Sequence, residues 1–359
     1  MKNFFRNFTI KQIIIAVVVV ICLFIWGGFT VFATVKKQEL LDQNAADRWS
    51  AENDTAQISC FFTEGTKVDK NSIMTFEHQL DAVLRESSIT STNENARLWA
   101  DAYSAQGKVT IKSGKSSLEL NAVGIGGDFF MFHPVQLING TYFSGNDLMH
   151  DRIIIDEDAA WQLFGSNDVT GMEVYIGGVP HYICGVIRRA DGRMHEAAGL
   201  DKTCAYISYE TLEEQGNIEG INTYEIVMPN PVSGFAYAKV KEKFGIDELG
   251  MQVVENSARY GFKSLFTVIS EFGTRSMNSY AIGYPYWENV ARGWEDIFAI
   301  ILILQILFLF IPACIIIITL IILWKRKEWT WRDVWRALQT WKDNVANRFH
   351  KEKNKWKYF

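Results

Sequence analysis

The chain has 359 residues, 48% of them hydrophobic, and a formal net charge of −5. The average conceals two stretches, Ile13–Ala33 and Ile297–Trp324, that contain no Asp, Glu, Lys or Arg. At 21 and 28 residues they match the roughly 20 apolar residues that a helix needs to cross a bilayer core, which excludes a simple cytosolic enzyme.

The charges are sorted around these stretches. Lys2, Arg6 and Lys11 give residues 1–12 a net +3, and 11 basic against 4 acidic side chains give residues 325–359 a net +7. Residues 35–296 are left with −15, the wrong sign for a nucleic-acid-binding domain. Short basic flanks stay on the cytoplasmic side. The expected plan is therefore a cytoplasmic N-terminus (1–12), a first membrane helix (13–34), an extracytoplasmic region (35–296), a second membrane helix (297–324) and a cytoplasmic tail (325–359). Lys36 and Lys37 sit on the less basic side, but Glu39 and Asp42 follow at once. Val31 and Ala33 also fit the small-residue pattern before a signal-peptide cleavage site. The apolar run exceeds the roughly 7–15 residues of a signal sequence, which favours an uncleaved anchor.

Val35–Asp47 has good helix formers and no Gly or Pro, so residues 35–55 read as a helical stalk that continues the first span. A core domain is expected over 56–255. Ala56–Phe62 reads as a strand, and Asn71–Glu86 as an amphipathic helix with Ile73, Phe76, Leu80, Val83 and Leu84 on one face. Three strand-like segments follow, at 96–104, 108–112 and 117–123, divided by turns that contain glycine. Gly124-Ile125-Gly126-Gly127 reads as another turn, since Asp128 would oppose a phosphate and no helix pattern starts there. Arg152–Asp156 is a short strand, with Asp156 placed to cap a helix over Glu157–Phe164 that Gly165 stops. Met172–Ile176 and His181–Ile187 form a hairpin across Gly177-Gly178. Strands at 203–208, 223–228 and 250–254, and a helix at 232–244, complete an α+β fold: a mixed, two-lobed extracytoplasmic domain between two transmembrane helices. A membrane-proximal segment (256–296) leads to the second span. Pro312 lies in mid-span and offers a kink, and Gln305 is an amide expected either to seek a partner on another helix or to stand alone near a membrane edge.

Catalytic constellations are not apparent. There is no G-x-S-x-G, H-E-x-x-H or G-x-x-x-x-G-K-[ST] pattern, and no cofactor or metal site is implied. His78, His133, His150, His181 and His195 are scattered, and each reads as a surface or internally satisfied residue. Cys60, Cys184 and Cys204 lack metal-ligand spacing and read as buried thiols, with one disulfide possible in an oxidising compartment.

The block Val123–Arg189 resembles the periplasmic core domain of MacB-type ABC transporter permeases. The resemblance rests on a series in one order: Gly127-Asp128-Phe129-Phe130, Gly140 to Phe143, a strand ending in Asp156, Ala160 to Leu163-Phe164-Gly165, Gly171, and Gly185-Val186-Ile187. Phe308–Arg326 is similar to the second membrane helix of such permeases. The segment after it, Lys325-Arg326-Lys327-Glu328-Trp329 with Trp331 and Trp335, stands where the family carries a glycine-containing cytoplasmic motif, and the glycines are missing. Family members have four membrane helices, and two such stretches are present here. The resemblance thus implies a truncated, split or accessory permease without catalytic chemistry of its own. Its expected partners are the membrane, a separate ABC ATPase subunit and a second permease subunit, identical or different. Its expected cargo is a peptide, antibiotic or lipoprotein. The competing reading is a membrane-anchored sensor or scaffold that has lost transport. In the tail, Trp331, Trp335, Leu338, Trp341, Val345 and Phe349 make an apolar stripe among basic residues, which suits either the inner membrane surface or an ATPase groove.

Overall fold

The computed structural model describes residues 10–50, 54–90, 96–275 and 282–325, together with Trp335 and Thr340. The chain divides into two compact units: Val31–Leu302, and a second made of Met1–Thr30 with Ile303–Phe359.

Helix α1 (Ile10–Glu39) outruns the apolar stretch but stops short of the Asp47 expected for a continuous stalk. A single 3-10 turn (Leu41–Gln43) and a separate short helix α2 (Ala45–Trp49) follow. The break has a local cause. Asn44 Nδ2 donates to the Lys37 carbonyl at 2.8 Å, and the Ala45 N–H donates to Gln57 Oε1 at 2.8 Å, so side chains take backbone groups that a continuing helix would have used.

Strand β1 (Thr55–Phe62) leads to α3 (Lys70–Glu86), capped by Asp69, which accepts from the Ser72 N–H at 2.8 Å. Its buried residues are Ile73, Phe76, Leu80, Val83 and Leu84, the face required by the 3.6-residue period. The two strands expected at 96–104 and 108–112 are one, β2 (Ala100–Ser113). Gly107 is no turn. A Cβ there would lie 2.9 Å from Ile218 Cγ2 and 3.1 Å from Leu212 Cδ1, so the glycine admits a packed neighbour. The turn expected at 124–127 is likewise the end of β3 (Ser116–Gly127). A Cβ on Gly124 would meet Leu212 at 2.8 Å, and one on Gly126 would enter the Tyr103 ring.

The chain continues through α4 (Phe129–Phe132), β4 (Gln136–Gly140), β5 (Arg152–Asp156) and α5 (Glu157–Phe164). Asp156 caps α5 by accepting from the Ala159 N–H at 2.7 Å, and Gly165 ends it in the left-handed conformation. Strands β6 (Glu173–Ile176) and β7 (Val179–Arg188) form the expected hairpin, with Gly177 and Gly178 both at positive φ, as a type I′ turn demands. The remaining elements of this unit are α6 (Arg193–His195), β8 (Cys204–Ser208), α7 (Tyr209–Gln215), β9 (Thr223–Pro229), α8 (Phe235–Phe244), β10 (Met251–Glu255), α9 (Phe262–Glu271) and the start of α10 (Tyr286–Lys325).

All ten strands join one mixed sheet, ordered β10-β1-β9-β2-β3-β8-β5-β7-β4, with β6 pairing both β7 and β2. The pairs β3/β8 and β5/β7 are parallel and the others antiparallel. Because β6 closes back onto β2, strands β2, β3, β8, β5, β7 and β6 form a ring, while β9, β1 and β10 extend as an open wing. These are the two lobes, and β2 belongs to both. Alternation along the strands builds two cores. Ile58, Cys60, Ala122, Ile207 and Tyr224 face the larger one, with α3, α5, α7 and α8. Ala102, Val123, Ile154, Tyr206 and Val227 face a second, which takes Ala45 and Ala46 of α2, Phe129 and Phe132 of α4, and Trp287 of α10.

Helices α1 and α10, which run from Val31–Leu302 into the other unit, are long and apolar enough to cross a membrane. Gln305 Nε2 donates to Thr30 Oγ1 at 3.0 Å, so the mid-span amide finds its partner on the other helix. Phe29 and Phe308 pack beside it with ring centroids 6.3 Å apart. Helix α10 runs unbroken through Pro312 to Lys325. Arg326, Lys327, Glu328, Trp329 and Trp331 lie outside the described residues, and Trp335 is exposed.

Candidate functional site

Within Val31–Leu302, the segment after α1, the sheet and the first turns of α10 meet in one buried chain of polar side chains. Its centre is Glu225 on β9, 2% exposed. The β1/β9 register sets Ser59 opposite Glu225, and Ser59 Oγ donates to Glu225 Oε1 at 2.6 Å. The other carboxylate oxygen accepts from His133 Nε2. Residue 133 follows α4, whose phenylalanines Phe129 and Phe132 are buried in the second core, and this packing delivers the imidazole inward. His133 Nδ1 faces Asp42 Oδ1 at 2.9 Å, on the 3-10 turn after α1.

The chain continues on the other side of Ser59. Asn256 Nδ2 donates to Ser59 Oγ at 2.6 Å, and Arg259 Nη1 reaches Asn256 Oδ1 at 3.4 Å and Gln43 Oε1 at 3.1 Å. Arg259 also donates through Nη1 and Nη2 to Glu288, and through Nε to Glu295, both on α10. Arg275 pairs with Glu295 and, at 3.2 Å, with Asp296. Asp42, His133, Glu225, Ser59, Asn256, Arg259 and Glu288 thus make an unbroken path from the end of α1 to the start of α10.

Every link but Asp42 is buried. His133, Ser59, Asn256, Arg259 and Glu288 are all at or below 4% exposure. Burial by itself lowers the pKa of His133, but the Glu225 and Asp42 carboxylates overcome it and push the ring up to about 9. The imidazolium, with both nitrogens donating, is the form that satisfies two acceptors at neutral pH. Trp287 seals the site, its indole centroid 4.2 Å from His133 and 5.6 Å from Phe129. The one hydroxyl in this polar chain, Ser59 Oγ, is buried at 1% exposure with its proton held by Glu225. The chemistry of the arrangement is that of a fixed charge relay joining three structural elements.

The sequence motif residues occupy other places. Gly127 ends β3, Asp128 pairs with Arg97 at 2.7 Å, Phe129 joins the second core, and Phe130 stacks on Tyr142 and edges Phe143. Gly140 and Gly185 cross at close backbone range. Ala160, Leu163, Phe164 and Val186 pack in the larger core, and Ile187 in the second. Gly165 and Gly171 take positive φ in open space. These residues build the frame and, except for the Phe129 turn that carries His133, stand apart from the polar chain. Sequence reasoning missed Asp42, Glu225, Asn256, Arg259, Glu288 and Glu295, and gave His133 no more weight than the other histidines. The available signal was Glu225 inside an apolar strand, Thr223–Pro229, where every other residue up to Met228 is also buried.

A mixed sheet joined to two helices long and apolar enough to cross a membrane defines an α+β domain carried on candidate membrane spans. The chain belongs to the MacB-like periplasmic core domain family, which matches residues 9–255, more than two thirds of its length. It is 30% identical over 79 residues to the macrolide export ATP-binding/permease protein MacB of Chromobacterium violaceum, covering 21% of this chain and 12% of that protein. It is 26% identical over 120 residues to the protein of the same name from Agrobacterium fabrum, covering 32% of this chain and 18% of that one. The matches therefore span less than a fifth of these relatives. The crystal structure of the periplasmic region of MacB from Actinobacillus actinomycetemcomitans aligns with 58% of this chain and 94% of its own, at 17% identity and a TM-score of 0.39.

Proposed function

We propose that this protein is a non-catalytic membrane subunit of a MacB-like ABC transport system, passing motion between a separate cytoplasmic ATPase and the extracytoplasmic domain. Residues 35–296 lie outside the inner membrane and both termini lie in the cytoplasm. The reading is carried by one observation: the turn after the first long apolar helix and the first turn of α10 are both linked, through a mostly buried chain of charged and neutral polar side chains, to β9 and β1. A displacement of α10 against α1 must stretch or repartner the Arg259 and His133 contacts, so the strands feel it. The equilibrium can be biased by nucleotide only if the two states differ in such contacts. Family membership supports export or extraction of a peptide, antibiotic or lipoprotein as the task. A second permease subunit, identical or different, completes the membrane part, and the segment from Lys325 to Trp335 is the surface offered to the ATPase.

The test is purification from gentle detergent with the native cellular partners present. An ABC ATPase subunit recovered in stoichiometric amount supports the reading. Its absence, with the protein intact and monodisperse, overturns it in favour of a membrane-anchored sensor or scaffold.

A further inference from the structure

Helix α9 (Phe262–Glu271) has more apolar surface than the described residues cover. At roughly 100° per residue, Phe262, Leu265, Phe266, Val268 and Ile269 share one arc, opposite Lys263, Thr267, Ser270 and Glu271. Leu265 alone is buried, whereas Phe262 is 67% and Phe266 58% exposed, their rings stacked 6.3 Å apart. Phe272, next in the chain, is 40% exposed. Neighbouring large aromatics turned to water are costly unless something covers them.

What covers them follows from where the helix starts. Tyr260, two residues before Phe262, accepts on its carbonyl from Lys37 Nζ at 2.7 Å and sets its ring against Phe298, 5.0 Å away and at right-angle tilt. Lys37 stands one turn beyond the apolar run that ends at Ala33, and Phe298 is the second residue of the apolar run on α10. Lys36 lies over the Trp294 ring and Lys37 over Phe298. Lysines and aromatic rings at the same level on two long apolar helices mark the boundary between hydrocarbon and headgroups. Gly261 therefore starts α9 at the membrane surface.

We propose that α9 is an interfacial membrane helix, with Phe262 and Phe266 inserted into the headgroup–acyl boundary of the outer leaflet and Lys263, Thr267 and Ser270 facing water. An amphipathic helix of this kind lies in the plane of the bilayer and holds by its buried apolar side chains. It would fix the height and tilt of the core domain over the bilayer, whether or not the chain serves an ATPase.

The test uses the full-length chain in nanodiscs of phosphatidylethanolamine and phosphatidylglycerol. A benzophenone amino acid is placed singly at 262, 266, 263 or 270, and the photoproducts are resolved by mass. Lipid adducts several-fold more abundant at 262 and 266 than at 263 and 270 are expected. Chain-to-chain products at 262 or 266 would instead identify a second copy as the occupant and overturn the proposal. So would equal, low lipid yield at all four positions in protein that remains monodisperse. Phe266→Glu supplies a second reading: its α9 amides should exchange hydrogen markedly faster than in the parent, and unchanged exchange would count against lipid insertion.

Discussion

Arg259 and Glu288 form a two-pronged ion pair, Nη1 to Oε2 and Nη2 to Oε1 at 2.6 Å each, with 4% and 1% of their surfaces exposed. The pair ties the chain just beyond β10 to the first turn of α10. Two charges withdrawn from water this far are stable only together, and removing one typically costs about 3–5 kcal/mol. Arg259→Ala should therefore lower the melting temperature of the detergent-solubilised protein sharply. Arg259→Met combined with Glu288→Leu should recover much of that loss, because Glu288 is no longer left unpaired and Glu295 keeps Arg275 as its partner. Equal destabilisation by the single and double changes would show that packing, and not charge pairing, holds this junction. Under the proposed function, the double variant regains most of its stability but no longer couples nucleotide to the outer domain.

His133 makes the junction sensitive to pH. Its folded-state pKa is raised, to about 9 from 6.5, by Glu225 and Asp42 acting against burial. For a group raised in this direction, the stabilisation is complete below the unfolded value and is lost as pH climbs through the folded one. Stability should therefore fall between about pH 6.5 and 9, by on the order of 3 kcal/mol from this residue. His133→Gln should flatten that slope while lowering stability at neutral pH. Denaturant titrations of parent and variant at intervals across the window check this, and parallel pH profiles would remove His133 from the account.

Two motif glycines separate strain from close approach. Gly140 has φ +83, and a Cβ there would press on the Cys184 carbonyl and lie 2.7 Å from Gly185 Cα. Gly165 has φ +70 with nothing within 4 Å. Gly165→Ala should cost about 1 kcal/mol, and Gly165→Asn less, since asparagine tolerates the left-handed region. Gly140→Ala must also move backbone, and should cost about 3 kcal/mol or more. Chemical denaturation ranks the three. A Gly140→Ala penalty no larger than that at Gly165 would mean that the β4/β7 crossing yields freely.

The same glycines show what could be read from sequence and what could not. Helix α3, the Asp156 cap and the Gly177-Gly178 hairpin depend on residues within a few positions of one another, and all were readable. Gly107, Gly124 and Gly126 read as turns from sequence, because a glycine signals either positive φ or a close neighbour. Only the placement of Leu212, Ile218 and Tyr103 decides between them. The polar junction was hidden for the same reason on a larger scale. His133 lies 91 residues from Asp42 and 92 from Glu225, and Arg259 lies 216 from Gln43. Their meeting depends on the pairing of β1 with both β9 and β10, which no local pattern encodes.

Topology can be read chemically at sites chosen for exposure. Leu148 is 89% exposed on the loop before β5, whereas Gly145 is buried with a Cβ path only 2.6 Å from the Gly126 backbone. Leu148→Cys should react with an impermeant maleimide in intact cells or spheroplasts, and Thr340→Cys only after lysis. The buried thiols Cys60, Cys184 and Cys204 contribute little background, because burial raises their pKa and leaves them protonated. The reverse pattern, or labelling of both positions in intact cells, would contradict the orientation drawn from the charges.

Under the proposed function, force enters through the tail. Helix α10 reaches Lys325, and Trp329, Trp331 and Trp335 follow within ten residues of the sequence. If this segment docks in a groove of an ATPase, the indoles act as anchors, and truncating one costs about 2 kcal/mol or more. If it lies only on the inner membrane surface, single indoles matter little, and the loss follows summed charge at about 1 kcal/mol per Lys or Arg. Trp331→Ala and Trp335→Ala should therefore each weaken recovery of the ATPase at least tenfold, while Lys353→Ser with Lys355→Ser leaves it nearly unchanged, because 1.4 kcal/mol corresponds to about a factor of ten in binding. Recovery insensitive to every one of these changes, with the tail still bound to vesicles, would make the segment an anchor and move the coupling surface elsewhere.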